Sequence, residues 1–182
     1  MRSKNRQCNG FTLTELLVTM TITSILAASA IDGFGWLIQE NRMVADINRF
    51  VRVLHLARNE AVKQAHSIVL CPSADGENWG NSSEWNNGWI VFQSNDRERD
   101  ANERLILSGA SLQTGIRMNA GNHRKRIVYQ QDGSSGGSNS SFTFCDSRKK
   151  AKPRVICLSI SGRPRLSQTL CNGRPIDCST YI

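Results

Sequence analysis

Apolar residues fill the chain from Phe11 to Ile31 almost without a break, then thin out into a pattern of threes and fours. The first stretch, "FTLTELLVTMTITSILAASAI", carries one charge, Glu15, and five threonines at 12, 14, 19, 21 and 23. About 21 residues are enough to cross a bilayer. The threonines lower the hydrophobicity and suit a helix that packs against other helices as well as lipid. Further on, Met43, Val44, Ile47, Phe50, Val51, Leu54, Ala57, Ala61, Val62 and Ala65 recur at helical spacing, with Arg42, Arg49, Arg52 and Arg58 mostly off the stripe. Gly33 and Gly35 stand between the two halves and predict a bend or local melting there. After His66 the period shortens. "SIVLC", "GWIVFQ", "RLILS", "RIVYQ", "SFTFC" and "RVICLSI" each read as a strand, joined by polar links such as "QDGSSGGSNSS" and "DSRKKAKP". The expected fold is α+β: one long N-terminal helix over 11–65, its 11–31 part in the membrane, packed on an antiparallel β-rich unit over 66–182. Trp79, Trp85 and Trp89 cluster near a loop and read as aromatics closing one end of the sheet.

Charge sharpens this picture. The net charge is +8, but residues 121–182 hold eleven Lys/Arg against three Asp/Glu, while 11–120 hold nine against twelve. The basic character is therefore concentrated in the C-terminal third. Residues 1–10 contain Arg2, Lys4 and Arg6 and no acid, which with the apolar run looks at first like a secretory signal. Two features oppose that reading: the run is too long for a signal core, and the basic part ends in Asn9-Gly10 directly before Phe11. A carboxylate at bilayer depth is also expensive unless it is paired, so Glu15 needs a partner.

Here "GFTLTELLVTM" resembles the type IV pilin signature, a short basic leader ending in glycine, then Phe, then an apolar run with glutamate fifth. The resemblance implies that residues 1–10 are a leader removed between Gly10 and Phe11 by a prepilin peptidase, with N-methylation of the new Phe11 amine. It implies that Glu15 neutralises the cationic N-terminus of a neighbouring subunit during filament assembly. It also implies anchoring in the inner membrane by one helix, with the globular unit in the periplasm before export to the pilus. "NEAVKQAHSIVLCPSADG", "GWIVF" and "RVICLSISGRPRL" extend the likeness to FimT-type minor pilins and the related H-type pseudopilins of type II secretion. The segment "DSRKKAKPR" departs from that pattern in being more basic.

Enzymatic chemistry finds little support. His55, His66 and His123 are scattered, no C-x-x-C pair exists, and no metal or other cofactor is expected. Ser147-Arg148-Lys149-Lys150 matches S-x-x-K formally but lies in a charged loop rather than opening a helix. "SNDRERDANE" lacks the alternating ligands of a calcium loop. Six cysteines fit an oxidising compartment. Cys8 precedes the apolar run, leaving an odd five. Cys171 and Cys178 enclose six residues, a loop that closes readily. Cys145 and Cys157, read as cross-strand neighbours, form the second expected bridge and leave Cys71 outside any. The alternative is Cys71–Cys145, with Cys157 left over.

The late cations are the remaining candidate chemistry. Arg124, Lys125 and Arg126 precede one strand; Arg148, Lys149, Lys150, Lys152 and Arg154 fill a hairpin; Arg163, Arg165 and Arg174 follow the last strong strand. In "SGRPR" the glycine permits a turn and the proline stiffens it, holding two planar guanidiniums suited to phosphate. These residues are expected to contact the DNA backbone without reading sequence, with Arg163 and Arg165 at the centre, beside the hairpin, and the lysines adding attraction from a mobile loop. The family resemblance implies DNA capture in natural transformation. The rival expectation is a structural pseudopilin that contacts only other pilins and secreted proteins.

Overall fold

The computed structural model describes residues 11–80, 82–94 and 103–179, apart from the side chains of 29–33 and 122. The leader, Gly10 included, and most of "SNDRERDANE" lie outside the described residues. Two compact units are present, ending and starting at Leu37 and Ile38.

The first unit is helical. The helix α1 spans Leu13–Gln64 and continues through Gly33 and Gly35. The expected local melting is absent because a helical glycine costs only about 1 kcal/mol relative to alanine, too little to stop a helix that is well formed on either side. The threonine hydroxyls of the apolar segment turn back on the helix itself. Thr19 donates to the Leu16 carbonyl at 2.9 Å, Thr21 to Val18 at 2.8 Å, Thr23 to Thr19 at 2.6 Å and Ser24 to Met20 at 2.7 Å. Each hydroxyl is thus satisfied without an outside partner. Among the described residues no helix is long and apolar enough to cross a membrane. The span expected over 11–31 runs into positions whose side chains lie outside the described residues.

The second unit opens with the amphipathic half of α1. Met43, Ile47, Phe50, Leu54, Ala57 and Ala61 are buried on its inner face, whereas Val44 and Val62, counted in the sequence stripe, are exposed. Among the described residues eight strands follow rather than six: β1 (Ile68–Pro72), β2 (Trp89–Gln93), β3 (Leu105–Gly109), β4 (Ile116–Ala120), β5 (Ile127–Tyr129), β6 (Ser140–Asp146), β7 (Arg154–Leu158) and β8 (Pro164–Ser167). They form two antiparallel sheets, ordered β3-β2-β1-β5 and β4-β6-β7-β8. The two strands missed by the sequence reading are edge strands of the second sheet. β4 alternates buried Ile116, Met118 and Ala120 with outward Arg117 and Asn119, and β8 is opened by a proline. Proline is tolerated there because an edge strand can spare the donor.

Phe50 joins the helix to both sheets. Its ring centroid lies 5.8 Å from Trp85, 5.2 Å from Trp89, 4.9 Å from Phe142 and 6.2 Å from Phe144. Trp85 and Trp89 are core residues rather than an end cap, and Trp79 packs separately, over Val69, Cys71, Ile90, Phe92 and Val128 on the far face of the first sheet.

The disulfides correct both expected pairings. Cys145 bonds Cys178 and Cys157 bonds Cys171, with Cα separations of 5.8 and 5.7 Å. Cys145 and Cys157 sit on adjacent strands, yet Cys157 lies opposite Ser141. Four residues of strand separate Ser141 from Cys145, about 13 Å at 3.3 Å per residue, beyond the ~7 Å reach of a disulfide. Cys171 and Cys178 each reach back to a strand cysteine instead of closing their own small loop. The C-terminal segment is thereby stapled to the outward face of the second sheet. Cys71, buried in the first sheet, takes part in neither bridge.

Two outcomes are expected. Non-reducing peptide mapping recovers Cys145–Cys178 and Cys157–Cys171 peptides, and a dominant Cys171–Cys178 peptide contradicts the register. Phe50→Ala lowers unfolding free energy by about 3–5 kcal/mol in a denaturant titration, the range for a buried phenylalanine truncation.

Candidate anion-binding cleft

On the second sheet, side chains that alternate away from the core build a polar surface. Arg165 lies opposite Cys157 on β8, and Arg163 terminates the β7–β8 turn. Ser159 ties that turn. Its N–H donates to the Arg163 carbonyl at 3.2 Å, and its hydroxyl donates to the same oxygen at 3.1 Å and accepts the Arg163 N–H at 3.2 Å. Gly162 has φ +76°, and a Cβ there would be driven into the Gly133 carbonyl oxygen, so only glycine fits. Buried Ser135 braces the turn from behind, giving its N–H to Ile160 at 2.8 Å and its hydroxyl to the Ser159 carbonyl at 3.1 Å. Arg58 on α1 holds the same loop through the Gly133 carbonyl at 2.9 Å. The "SGRPR" turn, expected to be stiffened by its proline, is also tied by hydrogen bonds within itself and to the neighbouring loop.

Arg163 and Arg165 line a cleft of about 490 Å³ with Asn139, Ser140, Ser141, Ser159 and the Cys157–Cys171 bridge. Arg124 adjoins it, donating through Nη2 to the Asn139 carbonyl at 3.1 Å. The indole of Trp85, deep in the core, donates to the Arg124 carbonyl at 2.7 Å and so positions that backbone. Among the described residues no carboxylate makes an ion pair with Arg124, Arg163 or Arg165. Two guanidiniums and several hydroxyl groups therefore line one concavity, with a third guanidinium bonded to the Asn139 backbone at its edge, a donor set that fits phosphate oxygens. Neither Trp85 nor the serines at the start of β6 was legible in sequence as part of a site, because the turn reaches them only through sheet register.

The other predicted cations divide into groups. The β6–β7 hairpin lies at the opposite end of β7: Arg154 pairs with Phe144 and Leu158 with Ser140. The intervening strand alone is about 13 Å long. Arg148, Lys149, Lys150 and Lys152 are thus not beside Arg163, as the sequence reading had them. Their loop, expected to be mobile, has its backbone tied by hydrogen bonds. Asp146, nearly buried, accepts the N–H groups of Arg148 at 3.0 Å, Lys150 at 2.8 Å and Ala151 at 2.9 Å, and the Gln39 amide at 2.8 Å. Burial alone would raise the Asp146 carboxyl, but these donors together hold it below the ordinary value. Its stabilising effect is present above the usual carboxylate range and is lost as pH falls through the lowered pKa. Arg154 is committed to Glu40 on α1. Arg126 lies over the Trp79 ring at 5.4 Å, and Lys125 is exposed next to Arg124. Arg174 is exposed in a turn closed from Leu170 N–H to its own carbonyl at 2.8 Å, three residues beyond Cys171.

At the N-terminus, Phe11 and Glu15 are exposed. The Glu15 N–H donates to the Thr12 hydroxyl at 3.3 Å, so Thr12 caps α1 and Glu15 occupies the first turn, where an acid opposes the positive end of the helix dipole. This local role was not foreseen. Among the described residues no group of His, Cys, Asp and Glu is arranged to hold a metal ion.

Comparison with known proteins agrees with this architecture. The structure is similar to the type IV minor pilin FimU of Pseudomonas aeruginosa in two crystal forms. One matches at TM-score 0.58 with 18% identity over 70% of this chain and 89% of that one; the other matches at 0.53 and 18%, over 66% and 88%. The minor pseudopilin EpsH of the Vibrio cholerae type 2 secretion system aligns at TM-score 0.49 and 11% identity, over 69% of this chain and 96% of that one. No curated protein shows significant sequence similarity to the chain. The model of the prokaryotic N-terminal methylation motif matches residues 5–31. The model of type II transport protein GspH matches residues 46–162, more than half of the sequence, and the chain belongs to that family of minor pilins and pseudopilins.

Proposed function

We propose that this minor pilin binds DNA through its phosphates, without reading bases, and serves DNA uptake in natural transformation. The observation that carries the reading is the cleft itself: Arg163 and Arg165 on a braced turn, Arg124 bonded to Asn139 beside them, and among the described residues no acid paired with any of the three. Among the described residues the long helix spends its inner face on the core and no other α-helix is present to enter a groove, so contact is with backbone rather than base edges. The hairpin cations are left out of this site because the strand separates them from it. The protein acts by binding and assembly, not catalysis. The leader is removed after Gly10, Phe11 is methylated, the helix holds the chain in the inner membrane with its globular unit in the periplasm, and Glu15 meets a neighbour's N-terminus in the filament.

A second reading is favoured by the family itself, that of the type II transport protein GspH. On it the chain is a structural pseudopilin, and the cleft takes an acidic group of a neighbouring pilin or secreted protein.

Mobility-shift titrations over a range of salt separate the two. Three arginines on three phosphates give a slope of log affinity against log salt near −2.7, at ~0.9 per contact. The double variant Arg163→Gln/Arg165→Gln flattens the slope by about 1.8 and weakens duplex binding whatever its sequence. Lys149→Gln/Lys150→Gln/Lys152→Gln leaves the slope unchanged. A double arginine variant with native affinity and slope favours the secretion reading.

A further inference from the structure

We propose that the β6–β7 hairpin is a separate cationic surface that seats the globular unit on anionic phospholipid headgroups while the chain is in the membrane. The proposal rests on the membrane-anchored reading above and concerns residues outside the cleft.

Arg148, Lys149, Lys150 and Lys152 are exposed, and among the described residues no carboxylate makes an ion pair with them. The acids nearby are already spent. Asp146 is taken up by backbone N–H groups and Gln39; Glu40 pairs with Arg154 and accepts the Lys152 N–H at 3.2 Å. Those two contacts also fix where the hairpin sits. Gln39 and Glu40 belong to the first turn of the globular unit, which begins at Ile38. The cations are therefore held at the end of the unit nearest, along the chain, to the apolar segment that closes at Ile31.

The residues between complete the pattern. Phe34, Trp36, Leu37 and Ile38 are all substantially exposed. Aromatic side chains collect at the level where hydrocarbon meets headgroups, with cations just beyond. Here the order along the chain is apolar segment, exposed Phe and Trp, then the two positions that carry the lysine-rich hairpin. Lysine, which supplies three of the four exposed hairpin cations, is the compact point charge suited to a diffuse anionic surface, whereas Arg163 and Arg165 stand at the cleft beyond the other end of β7. Because Asp146 pins the hairpin backbone, the charges are presented together rather than on a floppy loop.

The test uses the full chain reconstituted in nanodiscs, of phosphatidylcholine alone or of equal parts phosphatidylcholine and phosphatidylglycerol. Lysine acylation is followed by mass spectrometry, with Lys63, exposed near the far end of α1, as internal reference. In the anionic discs the labelling rates of Lys149, Lys150 and Lys152 relative to Lys63 are expected to fall about threefold or more, and to recover at high salt as the surface potential is screened. Equal rates in the two disc types overturn the proposal. So does equal protection in neutral discs by inorganic phosphate, which marks a general anion site, or by duplex DNA, which returns the hairpin to the DNA surface. Retention of the chain by the discs on gel filtration reports the anchor separately. A chain that elutes free of them overturns the anchor and this proposal with it.

Discussion

The globular unit depends on one aromatic ring. Phe50 stands on the inner face of the helix and touches Trp85 and Trp89 on one side and Phe142 and Phe144 on the other. Through it the helix is packed on two sheets whose described strands pair only within their own sheet. Edge-to-face contacts of this kind contribute beyond area alone, roughly 0.5–1.5 kcal/mol each. With alternate residues of β6 and β7 committed to this core, the intervening ones must face outward, and they include Cys145 and Cys157.

The outward face inherits its chemistry from that constraint. Cys145 and Cys157 are available to receive the C-terminal segment because their neighbours along the strand are buried. Arg165 is opposite Cys157, so the bridge to Cys171 and the arginine share one wall of the cleft. Trp85 connects the two faces, with its ring against Phe50 and its N–H on the Arg124 carbonyl. The same register sends the β6–β7 hairpin to the other end of the sheet, and Asp146, Gln39 and Glu40 fasten it there. One basic C-terminal third thus becomes two surfaces.

Much of the fold is legible in sequence because helical spacing and unbroken apolar runs mark its elements directly. The helix from Leu13 to Gln64 and the six strong strands follow that rule. β4 and β8 escape it since Arg117, Asn119, Pro164 and Arg165 belong to edge strands with one face open. The site is legible in its composition but not in its assembly. Arginines within one turn can be read together, as 163 and 165 were. Residues joined through register, such as Arg124 and Asn139, cannot, and the supposed nearness of Arg163 to Lys149 fails for the same reason. Cysteine pairing is hidden too, because loop size says which closures are easy and not which strand positions coincide.

The cleft and the hairpin are distinct surfaces, and the proposed role in DNA uptake requires DNA phosphate at the first alone. Hydrogen exchange of the full chain in neutral detergent, with and without duplex DNA, distinguishes them. Slowed exchange is expected around Asn139–Ser141 and across Ser159–Arg165, with the hairpin at 147–152 unchanged. Slowing at the hairpin with none at the cleft would contradict that role.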